Sequence, residues 1–441
     1  MSFLPQVELD ENSRPLAAYR ESFGFVPNLL RAESLLPRIV QAHASLESAL
    51  LIREKVLPRL QKEVIALGVA AAHENTYCIT AHSMRLRSLG MPETQLTQLL
   101  RDFHNASLSA CDVAAVDFSL KLSRHARWVN SEDIQALRRC GFEDEAVLEI
   151  VLVTALACFL CVLAAGLGSE PDFEPRRLPL GTKTAPRQPA RQISSANGHH
   201  TSAQEGPYLR APYQSPTTFA PFVSIQKSHG FIPNFFRAQT LRPDVLEAEV
   251  HAVLSILLPA DVLSRAQKEC ILLAVSAANF NSYCVAVHCN MLLRLGLSPE
   301  EADQVAVDHH QSGISKADKS LLDFAVKLGA HPSEFCRKDI DLLRAAGFSD
   351  EQILECVAVT ALNNFANALQ MGLGIVPDFE PPLAFGAKKM HPLASDSRPM
   401  ADESDSPPPT NAAWDPDAEL VAQAQGGSLE AIERACCLRP S

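Results

Sequence analysis

A single pattern occurs twice in this chain of 441 residues. The segment FGFVPNLLRA begins at Phe23 and HGFIPNFFRA at His229, and their glycines, Gly24 and Gly230, lie 206 residues apart. The closing sequence PDFEP recurs at the same offset, as do single Glu, Cys, His, Gly and Asp residues between these ends, without a gap. A repeat of this length corresponds to a whole domain. The sequence therefore predicts two copies of one domain in tandem.

Changes in composition set the predicted boundaries. The first domain covers residues 1–180 and the second covers residues 215–386. Residues 181–214 are rich in Pro, Ser, Gln and Gly and poor in large apolar residues, which is typical of a flexible linker. Residues 387–441 begin with a similar stretch, which we predict to be disordered. They end in a short amphipathic segment that resembles the opening helix of an extracytoplasmic-function sigma factor.

Apolar residues within each copy follow a helical period. The segments LQKEVIALGVAAAH and AQKECILLAVSAAN carry them at spacings of three and four residues. The next segments start at Asn75 and Asn281, good helix N-caps, and stop at Gly90 and Gly296, good helix ends. No convincing alternation of strand residues interrupts them. The predicted fold class is all-α, with two tandem helical bundles.

Charge and hydropathy restrict the partners and the compartment. The net charge of −12 argues against nucleic acid or an anionic membrane as a partner. The start of the sequence lacks a signal-peptide pattern, and the most apolar run, residues 151–167, reads as a buried helix. We therefore expect a cytoplasmic protein without a membrane partner, in which the twelve cysteines are reduced thiols.

One set of polar residues stands out on the apolar helices of the first copy. If Asn75 is an N-cap, Cys78 is the third residue of its helix, where unpaired N–H groups and the helix dipole favour a thiolate. His82 lies one helical turn further on the same face and can accept the thiol proton. Glu63, on the preceding helix, can orient this imidazole and stabilise its charged form.

The second copy repeats the whole set as Glu269, Cys284 and His288. Burying Glu and His is costly unless they pair, so their persistence favours a chemical site. The structural alternative stays open, because a helical cysteine is usually a small core residue and a duplication copies structural residues too.

A metal site is the rival interpretation of these residues. Glu, Cys and His can bind zinc, but each copy offers only one sulfur and one nitrogen. The other repeated histidines are interpreted as surface or capping residues: His104 with His310, and His125 with His331. We predict neither a metal nor a cofactor.

Together, GF[VI]PN, the glutamate, N-[ST]-Y-C-x-x-x-H and PDFEP resemble the alkylhydroperoxidase D-like branch of the carboxymuconolactone decarboxylase family, above all its "peroxidase-related" members. The resemblance covers both copies, residues 19–175 and 223–381. It implies an all-helical bundle that forms oligomers, so we expect the two copies to pack against each other. It also implies a reactive thiol at Cys78 and Cys284, with His82 and His288 as relay histidines and Glu63 and Glu269 as relay carboxylates.

The chain departs from the family pattern at one position. The hydroperoxidase members carry Cys-x-x-Cys, whereas Asn75 and Asn281 replace the first cysteine here. A sulfenic acid at the reactive thiol then needs an external thiol or another cysteine of the chain to resolve it.

Another cysteine is offered by the last helix of the first copy. Three asparagines in the apolar last helix of the second copy indicate that this face meets the active site. Their counterparts include Cys158 and Cys161, either of which would then lie near Cys78, although we interpret both as buried core thiols. If only one site is active, we favour Cys284, because the second copy looks better preserved. The asparagines are Asn363, Asn364 and Asn367.

The leading functional prediction is a thiol-dependent, peroxiredoxin-like antioxidant peroxidase. Its partners would be a hydroperoxide substrate, an external thiol or thiol-reducing protein, and further copies of itself as a homo-oligomer. A decarboxylase-type lyase or isomerase remains an alternative, in which Glu and His act on an unsaturated lactone acid. It needs a cation for the substrate carboxylate, and Arg85 and Arg87 are not repeated. A non-catalytic redox or assembly module is the third possibility.

Overall fold

The computed structural model describes residues 2–11, 13–176, 178 and 206–379. All regular elements in these ranges are helices, which confirms the all-α prediction. The greater part of the predicted linker and the predicted C-terminal tail, with its sigma-factor-like segment, lie outside the described residues.

The two copies have the same order of helices. In the first unit the α-helices are α1 (Arg14–Phe23), α2 (Asn28–Ala32), α3 (Pro37–Glu47), α4 (Arg59–Ala72), α5 (Thr76–Ser88), α6 (Glu93–Arg101), α7 (Ala110–His125), α8 (Ser131–Arg139) and α9 (Asp144–Leu167). In the second they are α10 (Ala220–His229), α11 (Asn234–Arg237), α12 (Pro243–Leu257), α13 (Arg265–Ala278), α14 (Ser282–Arg294), α15 (Pro299–Asp308), α16 (Lys316–Ala330), α17 (Arg337–Ala345) and α18 (Asp350–Leu373).

The last helices of the two units, α9 and α18, pack against each other, and nearly all of their residues are buried. Gly166 on α9 faces Val357, and Gly372 on α18 faces Val151. A Cβ atom would come within 2.7 Å of Val357 at the first glycine and within 2.8 Å of Val151 at the second. Glycine thus permits a close helix–helix contact, and the expectation that the two units pack together is confirmed.

Helix α9 is long and apolar enough to cross a membrane. However, 94 % of its most apolar window is buried by the rest of the protein. Its apolar surface is therefore accounted for by packing in the core, as the sequence predicts for residues 151–167.

Buried ion pairs cross the interface symmetrically. A glutamate at the same position of each last helix binds a lysine of its own unit and an arginine of the other. A buried charge is costly without partners, so these contacts fix how the units sit together. The pairs are Glu149 with Lys62 (3.1 Å) and Arg242 (2.6 Å), and Glu355 with Lys268 (2.7 Å) and Arg38 (2.7 Å).

The segment that leads into each unit also binds to both units. The N–H of Phe3 donates to Leu167 in its own unit, and the Phe3 carbonyl accepts from Arg344 in the other at 3.1 Å. Tyr208, at the end of the predicted linker, is held in the same way, and its carbonyl accepts from Arg138 at 3.0 Å. The described part of that linker is therefore packed on the protein.

Candidate functional site

The two candidate thiols lie at the amino ends of α5 and α14. The Asn75 side-chain oxygen accepts from the Cys78 N–H at 3.0 Å, and Asn281 caps the N–H of Cys284 at 2.8 Å. Each cysteine is the third residue of its helix, as the sequence predicts. Both side chains are buried, with 2 % of Cys78 and 3 % of Cys284 exposed.

A glutamate on the preceding helix meets the histidine of the thiol helix in both units. The Nδ1 atom of His82 lies 2.7 Å from Oε2 of Glu63, and the same distance joins His288 to Glu269. The carboxylates are buried, whereas the imidazoles differ: 2 % of the His82 side chain and 14 % of the His288 side chain is exposed. The carboxylate–imidazole pair expected from the sequence therefore forms twice.

The remaining repeated motifs converge on the tyrosine that precedes each thiol. The Tyr77 hydroxyl donates to Asp172 of PDFEP at 2.9 Å and accepts from the N–H of Leu29 at 3.2 Å. Asp172 also accepts from the N–H of Asn28 in the GFVPN segment at 2.7 Å. Tyr283, Asp378, Phe235 and Asn234 repeat this arrangement in the second unit. These motifs thus hold the start of each thiol helix in place.

A buried polar network continues from the relay of the first unit. Glu47 accepts from the Tyr19 hydroxyl at 2.6 Å and binds Arg85 at 2.7 Å, and Arg85 lies 3.7 Å from Glu63. On the other side, His43 lies 3.3 Å from Glu47 and 2.7 Å from a further buried glutamate, Glu33. Burial opposes the charge of His43, but the two carboxylates raise its pKa from 6.5 to about 10.

The second unit lacks this network. Most of its counterparts are apolar, and the relay glutamate instead binds Arg265 at 2.5 Å. Burial alone would raise the pKa of Glu269, but Arg265 and the His288 imidazole hold it below its ordinary value. The counterparts of Tyr19, Glu33, His43, Glu47 and Arg85 are Ile225, Gln239, Glu249, Val253 and Met291.

The groups that surround the two candidate thiols also differ between the units. In the first unit the thiol of Cys161, on α9, lies within hydrogen-bonding reach of the Cys78 thiol. The carbonyl of Cys161 also accepts from the Asn75 side chain at 3.0 Å. Cys158 instead lies in a small apolar cluster with Ala66, Val69 and Ala157, where burial raises its pKa to about 12. Both thiols are buried, as we interpreted them, but Cys161 is also a direct neighbour of Cys78.

Asn367 occupies the place of Cys161 in the second unit. Its carbonyl accepts from Asn281 at 3.3 Å. The Cys284 thiol is within hydrogen-bonding reach of Ser276, whose hydroxyl donates to Asn363 at 3.1 Å. Burial raises the pKa of Cys284 to about 12, against the opposing effect of the Ser276 hydrogen bond. This thiol is therefore protonated at neutral pH.

Comparison with known proteins agrees with this architecture. The model of the carboxymuconolactone decarboxylase family matches residues 37–115 and 243–310, once in each unit. The chain is therefore a tandem protein whose two units are each similar to the carboxymuconolactone decarboxylase family.

Solved structures of single units are similar to it. One is a peroxidase-related protein from Ralstonia eutropha with an alkylhydroperoxidase AhpD core, at 27 % identity over 39 % of this chain and 92 % of that one, with a TM-score of 0.37. Another is an uncharacterized peroxidase-related protein from a Silicibacter species, at 27 % identity over 38 % and 90 % of the two chains and a TM-score of 0.36. No curated protein matches the chain.

The other repeated histidines are paired with aspartates or lie at helix ends. His104 is paired with Asp117 at 2.8 Å and His310 with Asp323 at 3.0 Å. His125 ends α7, and His331 follows the end of α16, so both lie at helix termini as expected. A cation could meet three donors in the second unit, since the ligand atoms of His309, His310 and Asp323 lie within 4.8 Å of one another.

Sequence reasoning did not single out the network around Glu47 and His43. The two residues lie on α3, which carries no repeated motif, and their counterparts in the second unit are Val253 and Glu249. The available signal was the contrast between the copies, since a polar residue kept in only one of two homologous cores needs partners that the other core lacks.

Proposed function

We propose that the first unit is a thiol-dependent peroxidase site in which Cys78 reduces hydroperoxides and His82 and Glu63 relay the proton. The observation that carries the proposal is the buried 2.7 Å carboxylate–imidazole pair, one helical turn from a thiol at a helix amino end. The match of the carboxymuconolactone decarboxylase family model to both units supports it.

The reaction follows from this placement. His82 takes the proton of Cys78, and Glu63 stabilises the resulting imidazolium. The thiolate attacks one peroxide oxygen, so that an S–O bond forms and the O–O bond breaks. The sulfur becomes a sulfenic acid, and the alkoxide leaves as an alcohol with the proton returned by His82. An external thiol or thiol-reducing protein then supplies the two electrons that restore the thiol.

The second unit carries the same relay, but burial makes its thiol hard to ionise. The raised pKa of Cys284, about 12, keeps little thiolate at neutral pH. This finding weighs against the preference for Cys284 that the sequence alone supports. We propose that the second unit contributes chiefly to assembly, and that Cys284 reacts more slowly than Cys78.

Neither arginine that the sequence offers to the lyase alternative is free to hold a substrate carboxylate in the first unit. Arg85 is bound to Glu47 and near Glu63, so its charge is already used inside the protein. Arg87 is half-exposed and lies 3.7 Å from Glu93 on the surface. The second unit has Met291 and Leu293 at these positions. These contacts favour the peroxidase over a reaction that must hold a substrate carboxylate.

The test is hydroperoxide consumption by the full-length protein in the presence of a dithiol. Cys78→Ser should remove most of the activity, Cys284→Ser should remove little, and the double variant should be inactive. Cys111→Ser is the matched control, because this partly exposed thiol lies on α7 and hydrogen-bonds to the carbonyl of Cys140. A double variant that consumes hydroperoxide at the wild-type rate would refute the proposal.

A further inference from the structure

We propose that Cys161 is the resolving thiol of the first unit, and that oxidation joins it to Cys78 in a disulfide between α5 and α9. The inference rests on the proposed peroxidase function, which supplies the hydroperoxide as oxidant. It fills the place of the first cysteine of Cys-x-x-Cys, where this chain has Asn75.

One side chain fixes the two backbones that the disulfide would join. The oxygen of Asn75 accepts from the Cys78 N–H at 3.0 Å, and its nitrogen donates to the Cys161 carbonyl at 3.0 Å. The amide therefore bridges the amino end of α5 and the carboxyl-terminal third of α9. The main chains of Cys78 and Cys161 are thus held by one amide, and beside this bridge the interaction with the Cys78 thiol is the main cause that raises the pKa of Cys161. A disulfide requires such proximity, because Cα atoms more than about 7 Å apart cannot be joined without backbone movement.

Asn75 thus holds a second thiol in place, at the position where the family pattern has that thiol itself. A cysteine at position 75 would offer a thiol three residues before Cys78 on the same chain segment. Asn75 instead offers an amide, which caps α5 and places a thiol from another helix against the same sulfur. The resolving group has moved from the thiol helix to the central helix of the unit.

The chemistry of the step is balanced. The sulfur of Cys161 attacks the sulfur of the Cys78 sulfenic acid, an S–S bond forms and the S–O bond breaks. The electron pair of the Cys161 sulfur forms the new bond, and the pair of the S–O bond leaves with the hydroxide, which takes the proton of Cys161 and departs as water. A second dithiol later reduces the bond by exchange.

The two thiols differ in protonation. The hydrogen bond with Cys78 and burial together hold the pKa of Cys161 well above its ordinary value. Cys161 is therefore the thiol that stays protonated, and it can supply the proton that leaves with the hydroxide.

The second unit is an internal comparison. Asn367 replaces Cys161, and Ser276 is the group that faces the thiol of Cys284. Cys289, five residues beyond Cys284, lies on another side of the same helix. The second site has the same relay and the same capping asparagine but no thiol across from it on α18, so oxidation there should stop at the sulfenic acid.

The experiment oxidises the full-length protein with one equivalent of tert-butyl hydroperoxide, blocks free thiols, and maps disulfides by mass spectrometry of tryptic peptides. The peptide with Cys78 spans residues 63–85, and the peptide with Cys161 spans residues 140–176 and also contains Cys140 and Cys158. The variants Cys161→Ala and Cys158→Ala therefore assign the bond. We expect the two peptides to be linked in the wild type and in Cys158→Ala, and unlinked in Cys161→Ala.

A sulfenic-acid probe, dimedone, separates this inference from the peroxidase proposal. In Cys161→Ala, dimedone should label Cys78 strongly, and turnover with an external dithiol should fall at least about tenfold. Labelling of Cys78 in the wild type at the level of Cys161→Ala, without a linked peptide, would overturn the resolving role alone. Failure of hydroperoxide to oxidise Cys78 in either protein would overturn the peroxidase instead. In that event the protein is oxidised with diamide, which joins neighbouring thiols directly. A missing Cys78–Cys161 disulfide would then still reject the proposal that these two thiols pair.

Discussion

The two units share one scaffold and differ in what surrounds the relay. Both keep the glutamate–histidine pair at 2.7 Å, the capping asparagine and the tyrosine–aspartate contact that holds the thiol helix. Among the described residues, only the first unit has a buried charge network beside the relay and a second thiol beside the first. The comparison teaches that the duplicated motif preserves the geometry of a site, whereas the groups that surround the thiol come from outside the motif. We expect reactivity to follow these neighbours.

The largest expected effect comes from removing the cation of the first network. Arg85→Met copies the residue of the second unit and leaves the carboxylates of Glu47 and Glu63 without this partner. Breaking a buried pair in this way costs about 3–5 kcal/mol. The reciprocal change, Met291→Arg, should alter stability by less than about 1 kcal/mol, because Glu269 already has Arg265. Urea unfolding measures both, and equal effects would show that the networks do not differ as described.

A smaller effect should appear as a difference in pH dependence between the units. Glu249 takes the place of His43, and burial raises its pKa from 4.5 to about 8. The folded protein therefore keeps this carboxyl protonated where the unfolded chain ionises, and the free energy of unfolding falls as the pH rises from 4.5 to 8. Glu249→Gln should abolish this decline, a gain on the order of a few kcal/mol at pH 8.

The imidazolium of His43 affects the free energy of unfolding in a higher pH range. Its pKa is raised from 6.5 to about 10, so its contribution is complete below pH 6.5 and is lost as the pH rises to about 10. This decline should remain in Glu249→Gln. Chemical unfolding at a series of pH values tests the difference, and parallel profiles for the wild type and Glu249→Gln would contradict the assignment.

The sequence predicted the parts of the molecule that repeat. The constant offset identified two units, helix periods gave the fold class, and the Glu63–His82 and Glu269–His288 pairs were found where expected. It did not decide whether Cys158 or Cys161 is the neighbour of Cys78, because that contact depends on how α9 passes α5. The network of Glu47 also escaped prediction, since its members come from three helices and no periodic pattern connects them.

The smallest expected effect concerns the packing of α9 against α18, to which both units contribute equally. Gly166→Ala and Gly372→Ala each place a methyl group against a valine of the other unit, at 2.7 Å and 2.8 Å. Overpacking of this kind costs about 1–3 kcal/mol. Thermal unfolding should show similar losses for the two variants, since the contact of α9 with α18 is symmetric. A loss in only one variant would mean that the interface is not a symmetric contact.

The most direct test of the account is the pH-dependent rate constant for hydroperoxide consumption in His82→Gln and His288→Gln. We predict that His82→Gln lowers the rate constant at pH 7 by about 100-fold or more, because general-base help of this kind is worth about 10²–10⁴-fold. The defect should shrink as the pH rises, whereas His288→Gln should stay within about twofold of the wild type. A wild-type rate constant in His82→Gln would contradict the proton relay on which the proposed function rests.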